Sequence, residues 1–128
     1  MKNPIKSAIT LALLILMSML NVYSQAPNNN MYLIANKNEH LGNLLYSAVW
    51  GYVAPNGREY AILGCADGTA FYDITDTSNV TESGFVPGLS SYWREFKTFG
   101  HYAYIVSEAD GSGLQIVDLQ YLPDSVHL

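Results

Sequence analysis

The sequence contains a single cysteine and few positive charges. Cys65 has no partner for an internal disulfide, so the chain depends on a hydrophobic core, in which Cys65 is expected to be buried as a small apolar residue. Six Lys and Arg residues against eleven Asp and Glu give a formal net charge of −5. No basic cluster follows residue 24, and an acidic surface repels phosphate backbones, which excludes nucleic acid from the expected partners.

Helical periodicity and catalytic motifs are also missing. After residue 24, no segment has a sustained 3.6-residue period of apolar side chains with capping residues, so little or no helix is expected there. The sequence has no Gly-x-Ser-x-Gly elbow and no His-x-x-x-His pair, and its histidines are scattered at His40, His101 and His127. We therefore predict no catalytic residue, no cofactor-binding residue and no metal ligand.

The first 24 residues have the pattern of a secretory signal peptide. Lys2 and Lys6 precede an apolar run at residues 9–20, and Val22 and Ser24 occupy the small-residue positions of a cleavage site. A membrane-spanning helix needs about 20 apolar residues, so an uncleaved anchor is the alternative interpretation. We expect an exported protein, extracellular or at the surface of a bacterium or in its periplasm, with no transmembrane span in the mature chain.

What the sequence has in abundance is short apolar runs between turn residues. Residues 25–45 are predicted to form a polar spacer with a short strand at residues 31–35. Asn-Gly at residues 56–57 is a strong hairpin signal. The remaining predicted strands span residues 44–53, 60–65, 69–74, 80–86, 92–99, 102–107 and 114–119.

Two parts of the chain repeat the same pattern. Trp50 and Trp93 lie 43 residues apart, as do the Ala-Asp-Gly triplets at residues 66–68 and 109–111. A repeat of this length, built of short strands between turns, is typical of a propeller blade. Repetition at this spacing therefore predicts the architecture of the mature chain.

The predicted fold is all-β: an incomplete β-propeller of about two four-stranded antiparallel blades, preceded by a signal-peptide helix. The blades are expected at about residues 46–88 and 89–128, the second one incomplete. Repeat folds need three or more units before stacking gives a continuous core. We therefore expect the remaining blades from a longer chain, and the assembly of several short chains into one ring is the alternative.

The repeated motifs resemble a known family. The closing strands at residues 70–76 and 114–119 resemble the LVIVD repeat of secreted bacterial propellers. The order of further motifs between residues 46 and 124 is similar to the choice-of-anchor B family. Those motifs are Trp-Gly at residues 50–51, Gly-Arg-Glu-Tyr-Ala at 57–61, Trp-Arg-Glu-Phe-Lys at 93–97 and Leu-Pro-Asp at 122–124.

The resemblance implies an exported protein held at the cell surface by an anchor, usually supplied at the C-terminus. It brings no established catalytic residue that could be assigned to this chain. One position departs from the family pattern, since Ala48 stands where an acidic residue is often found two places before the first tryptophan. Any cap or contact made by that acid is lost in this blade.

Four groups of residues are candidate sites, each with a structural alternative. Asp67-Gly68 and Asp110-Gly111 could be metal loops, and at the second loop Glu108, Asp110 and Ser112 offer oxygen ligands for calcium. The alternative for both is a hairpin turn in which Asp-Gly supplies a positive φ. The strand-end carboxylates could face a channel or accept local backbone N–H bonds. The aromatic residues could form a sugar-stacking platform or pack between blades. The strand-end carboxylates are Asp73 and Asp118, and the aromatic residues are Trp50, Tyr52, Tyr92 and Trp93.

Two Arg-Glu dipeptides complete the candidates, at residues 58–59 and 94–95. Neighbouring residues on a strand point to opposite faces, so neither pair can grip one ligand, and solvation or cross-strand pairing is expected. We expect an exported, surface-associated propeller module that binds a protein or glycan partner without catalysis. The alternative is the N-terminal part of an extracellular hydrolase whose site lies in further blades.

Overall fold

The computed structural model describes residues 31–40 and 46–128. The predicted signal peptide and most of the spacer lie outside the described residues. The chain divides into two units, Met1–Tyr32 and Leu33–Leu128, and the fold described below belongs to the second unit. The described residues contain seven strands and no helix, which confirms the all-β prediction.

The first sheet, sheet 1, has four antiparallel strands in chain order. They are β1 (Val49–Val53), β2 (Glu59–Cys65), β3 (Gly68–Asp73) and β4 (Thr81–Pro87). The predicted Asn-Gly hairpin joins β1 to β2: Gly57 has a φ of 83°, and its N–H donates to the Ala54 carbonyl at 2.9 Å. Only glycine adopts that φ without strain, which is why the chain turns back at this residue.

The second sheet, sheet 2, has three antiparallel strands. They are β5 (Arg94–Phe99), β6 (Tyr102–Ser107) and β7 (Leu114–Asp118). A single antiparallel bridge between Asp118 and His127 lies at the free edge of β7. Residues 31–38 form no strand, so the short strand predicted at residues 31–35 is not formed. An extended segment gains ladder hydrogen bonds only from a neighbouring strand.

Two predicted details of the turns have different outcomes. Gly111 has the expected positive φ, 76°, but Gly68 does not and lies inside β3. An added Cβ at Gly68 would lie 2.4 Å from the Val86 carbonyl oxygen and 2.4 Å from Phe85 Cζ. Close approach of the neighbouring strand, rather than a left-handed conformation, therefore requires glycine at position 68.

The hydrophobic core lies between the two sheets. One contiguous cluster joins Tyr60, Ile62 and Phe71 of sheet 1 to Phe96 and Ile105 of sheet 2. Cys65 is buried as expected, in a smaller cluster on the other side of sheet 1. Burial raises the pKa of its thiol to about 11, so Cys65 stays protonated and unreactive at neutral pH.

The strand registers show which positions of the two sheets correspond. Tyr60 pairs with Asp73 in sheet 1, and Tyr102 pairs with Asp118 in sheet 2, so Tyr60 corresponds to Tyr102. The same registers relate Ala61 to Ala103. These equivalences rest on hydrogen-bonded pairing and on the shared Tyr-Ala sequence.

Opposite faces of the two sheets meet in the core. Sheet 1 directs Tyr60 and Ile62 between the sheets, whereas sheet 2 directs Ala103 and Ile105 there and leaves Tyr102 outside. Because successive residues of a strand point to opposite faces, the sheets stack head to tail. We call the faces that meet in this core the inner faces and the other two the outer faces.

Candidate functional site

The outer face of sheet 2 is an exposed apolar surface. Phe99, Leu114 and Ile116 are 80%, 56% and 46% exposed, and Val106 lies between them on β6. Lys97 and Glu95 are the charged residues of the same face on β5. Contiguous apolar surface of this kind marks an interaction site more often than isolated exposed side chains do. The outer face of sheet 2 is therefore a candidate interaction surface.

The outer face of sheet 1 is partly covered by the segment at residues 37–40. The His40 ring stacks on Phe85 with centroids 4.2 Å apart, and its Nε2 lies 2.6 Å from a Glu82 carboxylate oxygen. Tyr72 donates its hydroxyl hydrogen bond to Glu39 at 3.2 Å. Burial and these two carboxylates raise the pKa of Tyr72, so its hydroxyl remains a donor.

A groove remains beside this covering segment. Its volume is about 390 Å³, within the range of small-ligand pockets. Most of its wall is apolar, and Lys37, Glu59 and Thr77 are polar residues of its lining. The apolar lining comes from Ile34, Val49, Ala61, Leu63, Ile74 and Val80. The groove therefore suits an apolar side chain or ligand better than a charged one.

The four aromatic residues predicted to act together are divided between two places. Tyr52 is buried in the core, and Trp50 lies on the inner face, where its Nε1 donates to Thr98 Oγ1 at 3.1 Å. Tyr92 and Trp93 precede β5 and are 59% and 66% exposed. Packing between these two sheets therefore holds for Trp50 and Tyr52 but does not involve Tyr92 and Trp93.

Unequal hairpins explain why the two tryptophans are not equivalent. Five residues, 54–58, connect β1 to β2, whereas two residues, 100–101, connect β5 to β6. Trp50 consequently lies within β1, while Trp93 falls before β5 begins. The 43-residue spacing of the tryptophans does not reveal that they occupy different strand positions, because the spacing does not show how many residues each hairpin contains.

Ser91 orders the exposed loop that contains Tyr92 and Trp93. Its hydroxyl donates to the Trp93 carbonyl at 2.8 Å and accepts from the Trp93 N–H at 3.1 Å. Its own N–H donates to the Ala66 carbonyl at 2.9 Å, which ties the loop to the β2–β3 turn. Two large aromatic side chains are thus exposed on an ordered backbone.

The strand-end aspartates have the same local role in both sheets. Asp73 Oδ1 accepts the Thr75 N–H at 2.9 Å, and Asp118 Oδ1 accepts the Gln120 N–H at 2.9 Å. Both contacts are the side-chain-to-backbone bonds expected where a strand becomes a loop. The alternative, two carboxylates at a channel, finds no support in these hydrogen bonds.

Asp73 has an additional partner. Arg58 Nε donates to its Oδ2 at 3.0 Å, and Nη2 contacts the same oxygen. Burial acts to raise the pKa of Asp73, but the bonds from Thr75 and Arg58 outweigh it and hold that pKa below its usual value. The expected cross-strand pairing is therefore found for Arg58.

Arg94 departs from the solvated or paired state that was expected. It is 2% exposed, and its guanidinium donates to the backbone carbonyls of Cys65 at the end of β2, of Ala66 and of Leu89. Alternation along β5 places Arg94 on the same face as the buried Phe96, a signal that was available in the sequence. Arg94 is buried because the inner face of β5 packs against sheet 1.

The possible calcium loop is held as a turn. The Ser112 N–H donates to the Ala109 carbonyl at 3.0 Å, and its hydroxyl donates to the Ser107 carbonyl at 3.1 Å. Within residues 31–40 and 46–128, no three His, Cys, Asp or Glu residues cluster closely enough to hold a metal ion. Glu108 and Asp110 are thus not brought together with further acidic ligands in that part of the chain.

The histidines remain apart. His101 Nε2 lies 3.9 Å from Asp118 Oδ1, and Ser125 Oγ lies 3.0 Å from His127 Nε2. These are two separate pairs, whereas nucleophilic catalysis needs a serine, histidine and acid in one chain of contacts. The hydrolase alternative therefore stays a prediction about residues outside these pairs.

Comparison with family models, with curated proteins and with solved structures found no match. In the segments that the structure describes, no helix has the length and apolar character required to cross a membrane. The geometry of the two sheets is consequently the main basis for a functional proposal.

Proposed function

We propose that this protein is an exported, surface-associated β-propeller repeat module that binds a protein or glycan partner. The observation that carries the proposal is the head-to-tail stacking of two like sheets. A symmetric pair of sheets would bring the same face of each copy together. Here the core joins Tyr60 of one copy to Ala103 of the other, which are positions from opposite faces.

Head-to-tail stacking can continue beyond two sheets. The outer face of sheet 2 holds Tyr102 and Tyr104 at the positions that Tyr60 and Ile62 occupy in the core. On sheet 1 these strand positions pack against sheet 2. On sheet 2 the corresponding positions face outward, and no other sheet of the described residues packs against them. Propellers are built by repeating one such step around a ring.

Strand order agrees with a radial arrangement. Both sheets are meanders, and β5 lies against β1 and β2 while the later strands of the two sheets do not approach one another as closely. The last strands of the two sheets also contact each other, since Gln115 Nε2 of β7 donates to the Pro87 carbonyl of β4 at 3.0 Å. Stacking of meander sheets is the step by which propellers are built, and it supports the proposal. The further blades are proposed to come from a longer chain.

Export rests on the sequence of the first 24 residues, and surface association rests on the choice-of-anchor B resemblance. Fusion of residues 1–24 to a reporter enzyme that is active only after export would test the first point. We expect activity outside the cytoplasm and cleavage after Ser24. Retention of the full fusion in the cytoplasm would contradict export.

The partner is proposed to bind at the ordered aromatic loop. Tyr92 and Trp93 expose large rings, and aromatic rings of this kind dominate contacts with both proteins and sugars.

Calorimetry with purified cell-surface polysaccharide tests the glycan partner, and cross-linking on whole cells tests a protein partner. Trp93→Ala should abolish binding, and Trp50→Phe, at a residue half-buried between the sheets, should leave it unchanged. Equal binding by the two variants would show that the loop is not the binding site for the partner.

A further inference from the structure

A buried cation lies in a cavity that the proposed function does not use. Arg94 begins β5, and its side chain lines a cavity of about 330 Å³ between the segment after β4 and the loop joining β6 to β7. Ser107, Ser112 and Gln115 are the other polar side chains of the lining. The cavity therefore has polar side chains beside a positive charge.

The guanidinium of Arg94 contacts only neutral oxygens. Nε donates to the Cys65 carbonyl at 2.9 Å, and Nη2 donates to the Ala66 carbonyl at 3.4 Å and to the Leu89 carbonyl. In residues 31–40 and 46–128, no carboxylate lies within 4.0 Å of it, and Nη1 has no hydrogen-bond acceptor. Two N–H groups of a buried cation are thus left for another partner.

A buried charge without a counter-ion is costly, because carbonyl dipoles replace only part of its hydration. Burial indeed lowers the pKa of Arg94, while the negative charge of Asp67 acts in the opposite direction. An arginine remains protonated under these conditions. An anion placed at Nη1 would therefore gain a strong, charge-assisted hydrogen bond in a partly dehydrated site.

Gly88 leaves the guanidinium accessible from the cavity. An added Cβ at this position would lie 2.7 Å from Nη1 and 3.0 Å from Nη2 of Arg94. Ser107 is paired with Arg94 in the β5–β6 register, and its hydroxyl oxygen accepts the Ala109 N–H at 3.3 Å, which leaves its own hydrogen free to donate. The cavity thus offers N–H and O–H donors from two elements.

We propose that this cavity binds a small oxyanion, a carboxylate or a phosphate, through Nη1 of Arg94 and the hydroxyl of Ser107. A cavity of this volume is large enough to admit such an ion. The site is independent of export and of the propeller ring, since every residue that forms it lies between β2 and β7 of the described chain.

The test uses the whole chain and measures the NMR resonance of the Arg94 Nε–H group. Sodium acetate, sodium phosphate and sodium chloride are titrated at matched ionic strength. We expect a saturating shift with a dissociation constant of about 1–10 mM for at least one oxyanion, and none for chloride. Saturation by acetate alone identifies carboxylate chemistry, and saturation by phosphate alone identifies phosphate chemistry.

Two variants and a matched control complete the test. Gly88→Ala crowds Nη1 and should weaken binding about tenfold, and Ser107→Ala should weaken it about threefold. Gly51→Ala adds the same methyl group where nothing lies within 4 Å, so it should bind as the unmodified chain does. A linear shift, an equal response to chloride, or equal affinity of Gly88→Ala and Gly51→Ala would overturn the proposal.

Discussion

At the scale of single residues, the two copies of the repeat differ most clearly in how their closing aspartates are held. Asp118 accepts one backbone N–H, whereas Asp73 also receives the guanidinium of Arg58. Hydrogen bonds to a charged and buried acceptor are the stronger kind. The same sequence position therefore contributes unequally to the stability of the two sheets.

Asp73→Asn should lower the free energy of unfolding at pH 7 by about 1–3 kcal/mol, because it removes the charge that Thr75 and Arg58 stabilise. The lowered pKa of Asp73 gives a stabilisation that is present above the unfolded-state pKa, about 3.9, and is lost as pH falls through the folded-state pKa. Urea unfolding from pH 7 to pH 2 should show the difference between the two proteins shrinking below about pH 4.

Asp118→Asn is the matched control for that measurement, since this aspartate has the same backbone contact without an arginine. Its loss at pH 7 should be smaller. An equal loss in the two variants would contradict a specific contribution from Arg58.

Gly68→Ala should lower the free energy of unfolding by about 1–3 kcal/mol, because its methyl group would meet the Val86 carbonyl and the Phe85 ring. Gly51→Ala, in open space on β1, should change it by less than about 1 kcal/mol and can raise it. Urea unfolding of both variants measures the difference. Similar values for the two would show that β3 and β4 are not packed as described at this point.

At the scale of strands, most element positions could be predicted from the sequence. Glycine-containing turns bound the apolar runs, and β6 has the bounds that were expected, Tyr102–Ser107. Propensity gave no information on pairing partners, so residues 31–35 were predicted as a strand that the structure does not contain. Turn residues fix where a strand ends, whereas a strand forms only if another strand pairs with it.

Side-chain roles were harder to predict, because they depend on contacts between elements. The repeat placed Trp50 and Trp93 together in sequence, and unequal hairpins place only Trp50 between the sheets. The burial of Arg94 depends on the carbonyls of Cys65, at the end of β2, and of Ala66, which lie 29 and 28 residues earlier in the chain. The alternation of side chains along β5 predicts the face on which Arg94 lies, but it does not predict which carbonyl groups accept its hydrogen bonds.

The contact between β1 and β5 gives a prediction at this scale. Trp50 donates to Thr98 at 3.1 Å, and Lys97 Nζ lies 3.6 Å from the centroid of the Trp50 ring. A double-mutant cycle of Trp50→Phe and Thr98→Val should give a coupling energy of about 0.5–1.5 kcal/mol in urea unfolding. Trp93→Phe combined with Thr98→Val is the control, and a coupling of similar size there would contradict the contact.

At the scale of the whole unit, Leu33–Leu128, sheet 1 and sheet 2 pack against each other, while the outer face of sheet 2 remains exposed. The outer face of sheet 2 exposes apolar residues at the positions that are buried on the inner face of sheet 1. A surface of that kind associates with a complementary face when one is present. The proposed longer ring and the behaviour of the isolated chain therefore depend on the same surface.

A protein comprising residues 25–128 should self-associate as its concentration rises, and Ile116→Lys on the outer face of sheet 2 should suppress this association. Tyr121→Lys introduces the same charge at a residue of similar exposure outside the sheet faces and should leave the association unchanged. Sedimentation velocity over a range of concentrations measures both. Equal association of the two variants would contradict a role for the outer face.

The central claim is that opposite faces of two like sheets meet in the core, and proton NOE spectroscopy tests it most directly. The Ala103 methyl group should show cross-peaks to sheet 1 side chains such as Ile62 and Phe71. The Ala61 methyl group, at the corresponding position, should show none to sheet 2. Cross-peaks from Tyr104 or Ile116 to Ile62 would mean that the like faces meet, and head-to-tail stacking would then be wrong.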